Sequence, residues 1–389
     1  MGEIQMNFPL LDMVYEALGS DKDKWNHTLL RYLETMEEKY KKHDTPNFPL
    51  DDTDVYYYNK HDFDHIKRVC RYVEELIQAL SLELNVDELL TLFFATVGHD
   101  VAMCEVAPER IMSYVEKWGR NPTGDEWRRM HGHESARIIR EYMKNETRGL
   151  DIIAKTVERI EEPVLSIIWN HGEEDKEKIK VEEENNIRTP LLLALLRIAD
   201  TCDATYKRLP YSSVIGWVIA RAAVRGEPYI KQIEHYLRRL ICSKVELGKG
   251  GSGDKAIISI HIYSNFRECR IMPLKEVKFS LHKEPITGEE AFEGLLSEFE
   301  KELGPPNNIN NMESLNAEYE KQISSKLLEK YGKKLEYKIL FEGDYNYEIE
   351  IEEIIRKSIE YAKISLPRAE EEGPFTKKLR YAFYNVQYS

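Results

Sequence analysis

The sequence predicts a mainly α-helical protein: a helical bundle with an N-terminal helical extension and a smaller α+β C-terminal domain. Three observations point there. From residue 10 to about 245, apolar residues recur at three- and four-residue spacing, the period of a helix with one buried face. Prolines and glycines punctuate that region where helices should start and stop. Beyond the glycine cluster LGKGGSGDK at 247–255 the pattern changes to a period of two. The divisions drawn from these shifts are 1–54 for the extension, 55–245 for the bundle and 246–389 for the C-terminal domain.

Taken in order, HIKRVCRYVEELIQALSL, VDELLTLFFATV, ESARIIREYM and PLLLALLRIADTCDATYKRL read as helices. Asn121-Pro122 with Gly124 marks a break, Pro163 is expected to open a helix, Thr189-Pro190 opens another and Pro210 closes it. The charged run EEDKEKIKVEEENN at 173–186 reads as a solvated loop with some helical character. After the glycine cluster, AIISIHIYS followed by RIMPLKEVKFSLHKE suggests a hairpin or small sheet. Helices are expected again over 289–303 and 315–331, separated by GPPNNINN. The segment EYKILFEGDYNYEIEIEEIIRKSIEYAKI starts like a strand and ends like a helix.

Composition narrows the function. With 55 Lys plus Arg against 69 Asp plus Glu, the formal net charge of −14 repels phosphate backbones, so general nucleic-acid binding is not expected. The longest apolar run, Leu191 to Leu196, is too short for a membrane span, and the N-terminus carries acidic residues in place of a basic leader. Five widely spaced cysteines without a CxxC argue against a disulfide framework and a thiolate zinc site. A cytoplasmic setting is the expectation.

Chemistry concentrates in nine residues: His61, His65, His99, Asp100, His131, His133, His171, Asp200 and Asp203. Six of them, His65, His99, Asp100, His133, His171 and Asp200, would complete a site for two divalent metal ions. Imidazole with carboxylate suits Mn, Fe, Ni, Co or Zn better than Mg, and a carboxylate can bridge two ions. Each residue also has a plainer reading. Asp200, inside an apolar helix, needs a cation, which is either Arg197 three residues earlier or a metal. His171 could be a surface cap, and His133 a first-turn residue without a special task.

The ordered set resembles the HD superfamily of metal-dependent phosphohydrolases, in the variant with two additional histidines between the HD pair and the last Asp. HIKRV is similar to that superfamily's first-ligand helix, GHESARII to its third-motif helix and LLRIADTCDATYKRLPY to its fifth. The closest likeness is to HD proteins whose fifth motif reads LLRxAD, including HD domains associated with chaperone-type ATPases and those of exopolyphosphatase-like proteins. The resemblance covers residues 55–245. The branch that cleaves cyclic dinucleotides has a Gly-Tyr-Pro motif and a Lys three residues beyond the HD Asp; here Gly-Glu-Glu follows His171 and Met103 takes the Lys position.

HDFDHIKRV is similar to a segment of the cyclic-nucleotide phosphodiesterases, in which the first His donates a proton and the second binds metal. That likeness implies His61 as the proton donor, four residues before His65 on one helix face. The alternative is that His61 pairs with Asp62 or Asp64. Asp100 is expected to bridge two ions about 3.5–4 Å apart. Substrate phosphates would be gripped by cations near the site, with Arg197 and Arg208 favoured and Arg68 next. Arg128, Arg129, Arg137 and Lys207 read more simply as solvated faces.

The expected function is hydrolysis of a phosphoester bond in a nucleotide, cyclic nucleotide or short oligonucleotide. The alternative is a regulatory module that keeps the fold and metal site while residues 246–389 bind a protein partner or a second copy. Tyr345, Tyr347, Tyr381 and Tyr384 would serve either as an oligomer interface or, more simply, as core.

Overall fold

Two helices that are buried on every face take the centre of the bundle, and both end at the site. The computed structural model describes residues 8–41, 60–104, 108–119, 124–146, 151–173, 178–179, 181–183, 185–209, 218, 229–250, 255–264, 288–304 and 334–343. Its helices are α1 (Leu11–Leu18), α2 (Lys22–Lys41), α3 (Phe63–Ala79), α4 (Val86–Gly98), α5 (Pro108–Trp118), α6 (Gly124–Glu146), α7 (Asp151–Asn170), α8 (Thr189–Cys202), α9 (Tyr229–Ile241) and α10 (Gly288–Leu303). The strands are β1 (Cys242–Lys249), β2 (Lys255–Tyr263) and β3 (Lys334–Glu342). The protein is thus mainly α with a small α+β part, as its periodicity predicts.

From Glu88 to Gly98 every residue of α4 is buried, and so is α8 from Thr189 to Ala199. Such helices have no solvent side and must be wrapped by others. Their N-terminal ends are joined by Arg188, whose guanidinium donates to both Glu88 carboxylate oxygens at 2.6 and 2.8 Å. An Asn85–Glu88 capping box starts α4. At the other end of α4, Tyr40 of α2 donates to the Val97 carbonyl at 3.0 Å, satisfying a helix-end acceptor beside His99.

Gly98 lets α6 approach: a Cβ there would lie 2.6 Å from the Ile139 side chain. Gly132 does the same between α6 and α7, since a Cβ would lie 2.9 Å from the Trp169 carbonyl. These approaches bring together the helix segments that carry the histidines.

Several boundaries differ from the sequence reading. Pro163 lies inside α7 and does not open it. A mid-helix proline leaves the carbonyl four residues earlier without its helix donor, and here the Asn185 side chain reaches that Arg159 carbonyl at 3.5 Å. Helix α8 stops at Cys202, short of Pro210, and a 3₁₀ turn at Tyr206–Arg208 follows. None of the described residues in the 173–186 run is helical.

The sheet begins before the glycine cluster: β1 pairs antiparallel with β2, and β3 adds parallel to the other edge of β2. Ala256, Ile258, Ile260 and Ile262 form the buried face of β2. A bulge between Cys242 and Lys244 explains why β1 buries Cys242 and Val245 at an interval of three, which hid its strand character. Tyr72 of α3 ties the sheet to the bundle by donating to the Val245 carbonyl at 3.3 Å. The expected partner segment RIMPLKEVKFSLHKE, the 315–331 helix, Pro210 and the four C-terminal tyrosines lie outside the described residues. The four described cysteines, Cys70, Cys104, Cys202 and Cys242, are buried and none is in a disulfide. No helix among the described residues is long and apolar enough to cross a membrane.

Candidate metal centre

Each central helix delivers its acid at or just beyond its last turn. His99 follows Gly98 as the C-cap of α4, Asp100 comes next, and a 3₁₀ turn at Val101–Met103 leads away. Asp200 lies in the last turn of α8, with Asp203 as its C-cap. His65 comes from the first turn of α3, His131 from α6 and His171 from the residue after α7.

Asp100 is the centre. Its Oδ2 lies 3.4 Å from His65 Nε2 and 3.2 Å from His99 Nε2, while its Oδ1 lies 3.1 Å from His131 Nε2 and 3.3 Å from His171 Nε2. Asp200 Oδ1 joins the first side, 3.5 Å from His65 Nε2. Two groups result that could each hold a metal ion: His65, His99, Asp100 and Asp200, and Asp100, His131 and His171. They share Asp100.

The outward nitrogens of these imidazoles decide what the inward ones can do. Nδ1 of His99 donates to the Thr96 carbonyl at 2.8 Å, Nδ1 of His171 to the Ile168 carbonyl at 2.6 Å, and Nδ1 of His131 to the Arg128 carbonyl. His65 Nδ1 donates to Asp203 Oδ2 at 2.7 Å. A carbonyl or carboxylate accepts only, so each Nδ1 carries its proton and each neutral ring presents a bare Nε2 lone pair to the cluster. His131 Nε2 and His171 Nε2 consequently face each other at 2.9 Å, acceptor against acceptor, unless a cation lies between. His99 Nε2 is buried and makes no hydrogen bond.

Donor atoms about 2.0–2.2 Å from a common divalent ion are about 3 Å from one another, so the separations fit a metal as well as the donor types do. Electrostatics agree. Burial would raise Asp100, but the surrounding His99 and His61 hold its carboxyl well below the usual range. Burial lowers His171, which disfavours a proton as the shared cation there. Burial would also lower His99, yet Asp100 leaves it raised, a measure of how strongly the carboxylate draws positive charge to that ring.

The sequence reading and the geometry part at several residues. His131 takes the place expected for His133, which is exposed and stacks on Trp169 with ring centroids 3.8 Å apart. Two residues along a helix is more than half a turn, so only one of the pair can face inward. The buried Ser135 and Ile139 continue the His131 face, and that phase was readable from the sequence. Asp203 was outside the expected ligand set. It orients His65 and is held ionised, against its burial, by His65 and Arg68.

Arg68 is therefore committed to Asp203, with contacts of 2.7 and 3.1 Å, and is not poised for a phosphate. Arg197 is committed too. Buried, it pairs with both Glu302 oxygens at 3.0 and 2.7 Å and donates to the Glu173 carbonyl at 2.9 Å, behind the His171 turn. Arg137 pairs with Glu134 and Glu141. Arg208 does lie in the cluster, 3.1 Å from Asp200 Oδ1.

His61 reaches the site with Nε2 3.7 Å from Asp100 Oδ2, although not from a helix face. It precedes α3, which Asp62 caps by accepting from the His65 amide at 2.8 Å. The Cys104 thiol and the Arg208 carbonyl hold this approach, through the His61 carbonyl at 2.9 Å and the Lys60 amide at 2.8 Å.

A helical bundle with histidines and aspartates converging from five helices defines an HD-type domain. Residues 46–246 match the HD-CE family, and the chain belongs to that family. No curated protein and no solved structure matches the chain.

Proposed function

We propose that this protein is a metal-dependent phosphohydrolase that cleaves a phosphoester bond in a nucleotide, cyclic nucleotide or short oligonucleotide. One observation carries the reading: four imidazole Nε2 atoms and two carboxylates converge after every ring N–H has been spent on a carbonyl or carboxylate outside the cluster. Such a set of acceptors is stable with divalent cations and costly without them.

Divalent ions bound there would supply positive charge to phosphoryl oxygens and make water more acidic. Asp100 serves both halves with its two oxygens. Arg208, almost fully buried, offers a further fixed charge for a phosphoryl group. In this reading His61, whose Nε2 lies 3.7 Å from Asp100 Oδ2, protonates the departing oxygen. Burial around Asp100 limits solvent screening of all these charges.

Hydrolysis of bis-p-nitrophenyl phosphate tests the reading. It should require added Mn, Co, Ni or Fe, stop with chelator and be lost in Asp200→Ala; activity that survives that substitution would place the chemistry elsewhere.

A further inference from the structure

The two halves of the cluster differ in one respect: only one already contains a cation. Arg208 Nη1 donates to Asp200 Oδ1 at 3.1 Å, the same oxygen that faces His65. Its Nη2 lies 3.4 Å from His65 Nε2 and 4.0 Å from Asp100 Oδ2. Thus three donor atoms of the His65–His99–Asp100–Asp200 half meet the guanidinium. The guanidinium contacts of Arg208 go to Asp200, His65, Asp203 and Asp100 Oδ2, all on that side of the cluster.

The arginine is held by its backbone more completely than by its side chain. Its carbonyl accepts from the Lys60 amide at 2.8 Å and its amide donates to the Thr205 carbonyl at 3.0 Å. Its Nε, in contrast, is buried without a hydrogen-bond partner, although Asp203 Oδ2 is 4.0 Å away. A buried guanidinium N–H left unmade is a donor in want of an acceptor, and a phosphoryl oxygen is well matched to it.

On the reading of the cluster as a metal centre, we infer that Arg208 competes with one of the two ions. The Asp100–His131–His171 half fills first. The other half accepts an ion only as the Arg208 side chain leaves Asp200, and the phosphoryl group of a substrate gives it somewhere to go. Second ion and phosphate then favour each other, and by linkage each tightens the other by the same factor.

Calorimetric titration of metal-free protein with Mn, with and without inorganic phosphate, tests this in wild type, Arg208→Gln and Arg208→Lys. Wild type should bind one tight and one weak ion. Arg208→Gln should tighten the weak ion about 5- to 150-fold, the usual span of a coupling free energy, and leave the tight one as it was. Phosphate should tighten the weak ion in wild type and lose that effect in Arg208→Gln, while Arg208→Lys keeps both the weak ion and its phosphate response.

An Arg208 that merely props Asp200 predicts the opposite sign, so a weak ion that loosens or stays unchanged in Arg208→Gln overturns the inference. So does a wild type whose weak ion ignores phosphate, a result that stands even if Arg208→Gln fails to fold. Wild type that binds no Mn at all would overturn the metal-centre reading and this inference together.

Discussion

Two clusters in this molecule gather the same kinds of side chain and handle them in opposite ways. Around Glu298, Arg239 donates at 2.6 Å, Arg238 at 3.2 Å, and His235 Nδ1 lies 3.5 Å away, so the carboxylate is surrounded by cations and donors. Around Asp100 the histidines have turned their N–H groups outward and their lone pairs inward. The Glu298 carboxylate finds its cations and donors within the protein, and the cluster joins α9 to α10. The Asp100 cluster needs cations from outside. What separates an ion-pair cluster from a candidate metal centre is therefore where the second ring nitrogen points, not how many charged residues meet.

The largest expected effect breaks one cluster and spares the other. Asp100→Asn should remove both ions and abolish hydrolysis of any phosphodiester, as read by elemental analysis and nitrophenolate release. Glu298→Gln should leave metal content and turnover at wild-type levels.

His61→Ala should separate substrates by leaving group. For a ribose alkoxide, turnover should fall roughly 10²- to 10⁴-fold, whereas p-nitrophenolate, already a stable anion, should leave at nearly the wild-type rate. Equal losses on both would assign His61 to positioning and not to proton transfer.

A finer contrast lies within α6. His131→Ala should cost about one ion per chain, and His133→Ala should cost none, because only the first ring faces Asp100. Loss of an ion from His133→Ala would restore the sequence reading.

That last pair also shows what was legible beforehand. The helical bundle follows from period, and the HD pair at the end of an apolar helix and Asp200 stand out by context, because a buried helix that ends in polar side chains has to satisfy them; His65 and His171 stand out only as members of the ordered set. The choice between His131 and His133 depended on the phase of α6, set by Ser135 and Ile139, whereas the motif GHESARII contains only His133 and so drew the assignment to that ring. Arg197 and Arg68 looked available because a sequence displays charges without partners. Glu302 lies 105 residues from Arg197 and Asp203 lies 135 from Arg68, separations that only the fold closes. The β1 strand escaped because its bulge breaks the period of two, and the continuity of α7 through Pro163 escaped because Asn185, 26 residues from Arg159, serves the freed carbonyl.

The smallest effect concerns stability at the Glu298 cluster. Burial would raise Glu298, but Arg239 and His235 hold it well below the ordinary glutamate value of 4.5. A folded-state pKa below the unfolded one gives stability that is present above the unfolded value and is lost as pH falls through the folded one. Glu298→Gln should therefore lower stability by about 1–2 kcal/mol at pH 7, and the gap to wild type should shrink on acidification below the ordinary glutamate range. Chemical denaturation across pH measures it.

The central claim is that the Asp100 cluster is built for cations that the chain itself does not supply. Elemental analysis of protein purified without chelator, then reloaded with Mn or Co and freed of excess ion, tests it most directly. The account predicts at least one retained ion per chain in wild type, and about two when phosphate is present throughout, falling to near zero in Asp100→Asn and unchanged in Glu298→Gln. A wild-type protein that stays folded and metal-free after loading would contradict it.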